Sequence, residues 1–377
     1  MNDIQTGLAA DDLLLVPKYS DIRSRKEVDI SNKLGTINLT LPIISSPMDS
    51  VTETAMAIEM SCEGGLGIIH RYCTIEQQVE MVKRCFDVNT PIYVGAAIGV
   101  TGDFLERANA LIEAGVSAIC IDIAHGFHIL MKEALEKLNN HPQRSEFHLM
   151  AGNVADGDGF LALFNWGADS IRVSIGSGAI CSTRLNTGFG VPNMSAIFDC
   201  VNKWEQHNTI ETYDDFGSVE TKSKNLVRPV LIIDGGAKNA GDIVKCLAAG
   251  ADFVMCGSLL AGTDEAPGQS KIDNRKNFAG TPLSATYGEM VKVYRGMASR
   301  GAQTDFKGSS SAPEGIETYV ACKGPLKPIL DDLAGNIRSG FSYAGARNIQ
   351  ELRKKAHFIK QTHAGLQESF THILNRR

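Results

Sequence analysis

Short β-like runs and helical stretches alternate along almost the whole chain, and few folds accept such regularity. Eight runs have this character: Pro42–Ser46, Leu66–His70, Ile92–Ala97, Ala118–Ile123, Phe147–Gly152, Ser170–Ile175, Val230–Asp234 and Phe253–Cys256. Between them lie amphipathic or capped stretches: Thr54–Cys62, Ile75–Cys85, Phe104–Ala114, Leu130–Leu138, Gly157–Trp166, Met194–Val201 and Ala240–Ala249. Several of these stop at glycine, as in Ala248-Ala249-Gly250, which lets the chain leave a helix for the next strand. Strict βα alternation implies a parallel sheet, because each crossover helix returns the chain to the same sheet end. Eight units at this spacing predict a closed (β/α)8 TIM barrel of the α/β class in preference to an open doubly wound sheet.

The 377 residues are read as one barrel domain with two additions. Residues 203–228 are polar and charged and are expected to form a surface insertion between the sixth and seventh strands. Residues 262–340 follow the eighth strand and are rich in Gly, Ser and Pro. Within them Tyr287–Gly296 has an ordered pattern and helical character resumes at Ile349–Phe358, so an active-site flap returning to a final helix is expected. A net charge of −6 argues against a nucleic-acid partner, and no apolar run is long enough to span a bilayer. Met1–Asp12 lacks the basic and apolar regions of a secretory leader, and the nine cysteines form no CxxC pair. Reduced thiols and a cytoplasmic location are therefore expected, with Cys62, Cys120, Cys200, Cys246 and Cys256 as inert packing.

In such a barrel, chemistry belongs on the loops after the strands, and phosphate is commonly held after strands seven and eight. Those loops read Asp234-Gly235-Gly236-Ala237 and Cys256-Gly257-Ser258-Leu259. Paired glycines let backbone N–H groups approach an anion, Ser258 adds a donor, and Asp234 can accept from a sugar diol. After the sixth strand, Ser174 to Arg184 contains Gly176-x-Gly178, but Cys181 stands where a dinucleotide-binding fingerprint needs its third glycine. What remains is a glycine-rich loop with one thiol placed for covalent attack and carbonyls free for a monovalent cation. His125-x-x-His128 has no third ligand nearby in sequence, so no transition-metal site is expected.

With their neighbours, these residues resemble the IMP dehydrogenase/GMP reductase family over nearly the entire chain. The matching segments are Asp11–Pro17, Ser45–Glu53, Glu63–His70, Asp122–Gly126, Ala151–Val154, Asp234–Gly236, Gly257–Asp264 and Tyr294–Met297. The resemblance implies a tetrameric barrel enzyme acting on a purine 5′-monophosphate, with the Cys181 thiolate attacking purine C2. It further implies that Ser46, Met48, Asn153, Asp234, Gly235, Gly236, Gly257, Ser258, Tyr294, Gly296 and Met297 hold the nucleotide. Asp122, Ala124 and His125 would face a nicotinamide cofactor, and the carbonyls of Gly176, Gly178 and Cys181 would bind potassium. The cysteine loop departs from the family pattern: Ala179 replaces a phosphate-contacting serine, Ser177 a proline and Ser174 a glycine.

Both family activities use the cysteine and hydride transfer, and they differ in what else reaches C2. The dehydrogenase carries an Arg-Tyr pair on its flap to activate water. Here the flap runs from Lys307-Gly-Ser-Ser310 through Ser311-Ala-Pro to Glu314-Gly315, and no such pair occurs. Thr183 and Glu314 stand where the family handles proton traffic. The expectation is therefore NADPH-dependent reduction of GMP to IMP and ammonia. NAD-dependent oxidation of IMP, or action on a modified purine nucleotide, are the alternatives.

Overall fold

The computed structural model describes residues 4–213, 219–273 and 289–371. Eight parallel strands close into a barrel: β1 (Ile43–Ser45), β2 (Leu66–Ile69), β3 (Val94–Ile98), β4 (Ala118–Asp122), β5 (His148–Val154), β6 (Ser170–Val173), β7 (Val230–Asp234) and β8 (Phe253–Cys256). Closure runs through Val254↔Ile43 to Cys256↔Ser45 between β8 and β1, and every strand shares both edges with its neighbours. The helices between them are α1 (Thr54–Cys62), α2 (Ile75–Cys85), α3 (Phe104–Glu113), α4 (Ile129–Asn139), α5 (Gly157–Asn165), α6 (Asn193–His207) and α7 (Ala240–Ala249), and α8 (Leu326–Tyr343) completes the ring. The strands read as continuous apolar runs because both of their faces are buried. Ile44, Leu66, Ile68, Met150, Ile232 and Phe253 fill the interior, while a larger cluster packs between sheet and helices.

A hairpin, Asn32–Leu34 with Ile37–Leu39, contributes Leu34, Ile37 and Leu39 to the interior cluster and closes the floor of the barrel. Its turn residue Gly35 has φ +61°, and a Cβ there would lie 2.7 Å from His148 Nδ1. His148 is buried at the start of β5, with Nε2 2.8 Å from Ser170 Oγ. Burial, with Arg144 nearby, outweighs the pull of Asp169 and lowers its pKa to about 4. The folded state thus binds fewer protons than the unfolded chain between about pH 4 and 6.5, so stability should fall as pH drops through that window. The loss attributable to this group is about 3 kcal/mol by pH 4. Denaturant unfolding of wild type and His148→Gln at several pH values checks it: equal acid slopes would show that His148 is not responsible.

The two additions are built differently from their sequence outline. Helix α6 continues through Lys203 to His207, well into the stretch predicted as insertion. Trp204 explains this: it is 5% exposed and meets Phe164 edge-on at 5.0 Å, an apolar anchor hidden among charged neighbours. Beyond α6, Thr209–Tyr213 pairs antiparallel with Val219–Ser223, and residues 214–218 of the predicted insertion lie outside the described residues. The flap region contains a three-stranded antiparallel sheet, Lys271–Asp273, Glu289–Arg295 and Glu317–Ala321, and a helix at Arg300–Lys307. Residues 274–288 of that region, including Tyr287, are outside the described set. From Leu326 onward the predicted flap is instead α8, whose Leu330, Leu333, Ile337 and Phe341 are buried. Lys292, 8% exposed, anchors the flap sheet: its ammonium donates to the carbonyls of Thr263 at 2.9 Å, Asp264 at 3.2 Å and Ala266 at 2.7 Å. No helix among the described residues is long and apolar enough to cross a membrane.

Candidate active site

A cleft of about 450 Å³ opens at the carboxyl ends of the barrel strands, roofed by the flap. The loop after β6 curls through Gly176, at φ +80°, and brings Cys181 to the cleft wall. Ser174 adopts φ +147°, a conformation suited to glycine and strained for a side chain. Arg184 secures this loop by donating to Ser177 Oγ at 2.9 Å and to the Val191 carbonyl at 2.6 Å.

Cys181 Sγ donates to Thr183 Oγ1 at 3.1 Å, and Thr183 Oγ1 donates to Glu314 Oε2 at 2.8 Å. Thiol, hydroxyl and carboxylate thus form a continuous path for a proton across 131 residues of sequence separation between Thr183 and Glu314. Main-chain bonds hold the path in register. Ser182 N–H donates to the Glu314 carbonyl at 2.9 Å, Ile316 N–H to Ile180 at 3.0 Å, and Glu314 N–H to Ala298 at 3.0 Å.

The glycine loops lie alongside the cysteine loop in the same cleft: a Cβ at Gly235 would stand 3.4 Å from Gly178 Cα, and one at Gly236 3.1 Å from the Ser177 carbonyl. Gly235 and Gly236 have φ +76° and +84°, so only glycine turns the backbone there without strain. At Gly257 an added Cβ would stand 2.9 Å from Tyr294 Oη and 3.2 Å from Met48 Sδ. Tyr294 is buried, and burial together with Asp234 and Cys256 pushes its phenol well above the ordinary range, which keeps it a neutral donor.

At the centre, Arg172 from β6 is 2% exposed and donates through Nε to Asn153 Oδ1 at 3.0 Å and through Nη1 to Cys120 Sγ at 2.9 Å. Its Nη2 bonds Asp122, and its Nε lies 3.3 Å from Asp234 Oδ2. Asn153 completes the cluster by donating to Asp234 Oδ2 and to the Ser174 carbonyl, both at 2.9 Å. Burial alone would raise the Asp122 carboxyl, but Arg172 and Arg71 outweigh it and hold the group below the usual carboxylate range.

The structure gathers Ser46, Met48, Asp122, Ala124, Asn153, Gly176, Gly178, Cys181, Thr183, Asp234, Gly235, Gly236, Gly257, Ser258, Tyr294, Gly296, Met297 and Glu314 around one cleft. His125 is not among them; it is exposed on the loop after β4. The carbonyl of Gly178, expected to bind potassium, accepts from Cys181 N–H at 3.1 Å, which leaves one lone pair for a cation. Sequence reasoning missed Arg172, Arg71 and Tyr72, all of which line the cleft. The available signal was a lone arginine inside the apolar run Ser170–Val173, since a charge there must face a partner within the barrel.

A family model described as IMP dehydrogenase / GMP reductase domain matches residues 7–372. The chain is 30% identical to a GMP reductase of Leishmania donovani, with 98% of this chain and 97% of that protein covered. It is equally 30% identical to an inosine-5′-monophosphate dehydrogenase of Nitrosopumilus maritimus, covering 98% and 99%. Its fold is similar to a crystal structure of GMP reductase from Trypanosoma brucei in complex with guanosine 5′-monophosphate, at TM-score 0.84 and 29% identity over 98% of both chains.

Proposed function

Because the chain belongs to the IMP dehydrogenase/GMP reductase family, and so is an oxidoreductase of purine nucleotides, we propose that it reduces GMP to IMP and ammonia with NADPH. The observation that carries this direction is the flap, which passes from Gly308 to Glu314 with no Arg-Tyr pair to activate water and leaves the path from Cys181 through Thr183 to Glu314 to handle the proton. Cys181 loses its proton along that path and its thiolate forms a bond to C2 of the purine. Glu314, through Thr183, returns a proton to the 2-amino group, and the C2–N bond breaks with release of ammonia. The hydride for C2 would come from a nicotinamide cofactor held beside Asp122 and Ala124. The C–S bond breaks, the nucleotide leaves as IMP, and the thiolate takes up a proton to complete the balance.

Asp234 would accept from the ribose hydroxyls, and the N–H groups of Gly236 and Gly257 with Ser258 and Tyr294 would hold the 5′-phosphate, whereas the Gly235 N–H already donates to the Met255 carbonyl at 3.1 Å. Asp122 and Ala124 would flank the cofactor. We assign the Gly176, Gly178 and Cys181 carbonyls to a potassium ion and a homotetramer to the assembly, both from the family resemblance.

The IMP dehydrogenase reading has its own support in relatives of that name at the same identity, and Thr183 with Glu314 would then draw a proton from water. Absorbance of the reduced nicotinamide separates the two. GMP with NADPH should lose absorbance steadily while IMP with NAD gains little; brisk NADH formation from IMP with no reaction of GMP would reverse the assignment.

A further inference from the structure

We propose that Arg295 is a positioning residue that clamps together the two walls of the nucleotide cleft, so that nucleotide affinity depends on a side chain outside the cleft. The inference rests on the nucleotide-site reading above. One wall is the segment after β1 bearing Ser46 and Met48; the other is the flap strand and turn bearing Tyr294, Gly296 and Met297. Arg295 lies in the middle of the second wall, and strand alternation turns its side chain away from the side that Tyr294 faces.

There its guanidinium grips Asp49, with Nε 3.0 Å and Nη2 2.6 Å from Oδ2 and Nε 3.3 Å from Oδ1. Nη1 donates to Asp305 Oδ2 at 2.6 Å on the flap helix. The backbone repeats the link: Arg295 N–H donates to Ser50 Oγ at 3.2 Å, and Ser50 Oγ donates to the Arg295 carbonyl at 3.4 Å. Asp49 N–H in turn points at Met297 Sδ at 3.4 Å. Side-chain exposure is 21% for Arg295 and 14% for Asp49 but 64% for Asp305. The Asp49 contact is therefore the shielded, strong one, and the Asp305 contact is largely screened by solvent.

The test is calorimetric titration of the full-length protein with GMP and with IMP. Arg295→Met and Asp49→Asn should each weaken nucleotide binding roughly 10–100-fold, the range expected for losing a charge-assisted hydrogen-bonded pair. The double variant should bind about as weakly as the worse single one, because the two share one interaction. Arg295→Lys should recover only part of the affinity, since an ammonium cannot reproduce the planar two-point grip. Asp305→Asn should stay within about threefold of wild type. In GMP turnover, KM should rise far more than kcat falls. Wild type that binds neither nucleotide would sink the nucleotide reading and the clamp with it. Normal wild-type binding with unchanged affinity in Arg295→Met, strictly additive losses, or an Asp305→Asn loss as large as that of Asp49→Asn would overturn the clamp alone. Should Arg295→Met fail to fold, Asp49→Asn against Asp305→Asn decides the matter.

Discussion

Cys181→Ala should stop turnover, lowering kcat on the order of 10⁴–10⁶-fold as expected for removing a covalent nucleophile, while GMP still binds within a few-fold of wild type. The separation follows from the geometry. The thiol sits on the loop after β6, whereas the proposed phosphate and ribose contacts come from the loops after β7 and β8 and from Tyr294. Alanine removes the atom that would bond to C2 and leaves the Ser182 and Ile180 backbone contacts to the flap in place. Rapid-quench turnover assays with parallel calorimetry make the check. A variant that keeps most of its rate would end the covalent mechanism, and one that fails to bind GMP would show the thiol to be a structural part of the nucleotide pocket.

Glu314→Gln should lower GMP reduction by about 10²–10⁴-fold, the usual worth of a positioned general acid or base, with GMP affinity nearly unchanged. Glutamine keeps the side-chain length, and the main chain of residue 314, which receives Ser182 N–H, is untouched. What it loses is the capacity to take the proton from Thr183. Thr183→Val should fall in the same range, and the double variant should be little worse than either, since both cut one path. Full activity in Glu314→Gln would move the proton chemistry elsewhere in the cleft.

The barrel was legible because its signals are local: an apolar run repeated eight times, seven helical stretches between the runs, and glycine stops after several of them. The glycine loops and Cys181 were legible because their places in the barrel give them meaning. Arg172 was not, since a single arginine in Ser170–Val173 becomes intelligible only when closure brings Asp122, Asn153 and Asp234 around it. Arg295 was hidden for the same reason, lying between recognised residues while its own partner Asp49 is distant in sequence. The end of α6 was misplaced because Lys203 and Glu205 read as surface, while Trp204 packs onto Phe164 from α5. His125 was included with Asp122 as part of one segment, yet the loop turns it outward beyond β4.

The flap and cysteine loop meet through backbone atoms at Ile180, Ser182, Glu314 and Ile316, and through Ala298 behind them. Those contacts ask almost nothing of side chains. The stretch from Gly308 to Pro313 is likewise tied through its own backbone, Ser311 N–H donating to Gln303 Oε1 at 2.9 Å and the Pro313 carbonyl accepting from Asn186 at 2.6 Å, so its side chains are free to change over generations provided that Glu314 still arrives in register. In the proposed reaction, a lineage could add to this stretch a group that reaches C2, and so change the outcome, without altering the barrel, the nucleophile or the nucleotide loops.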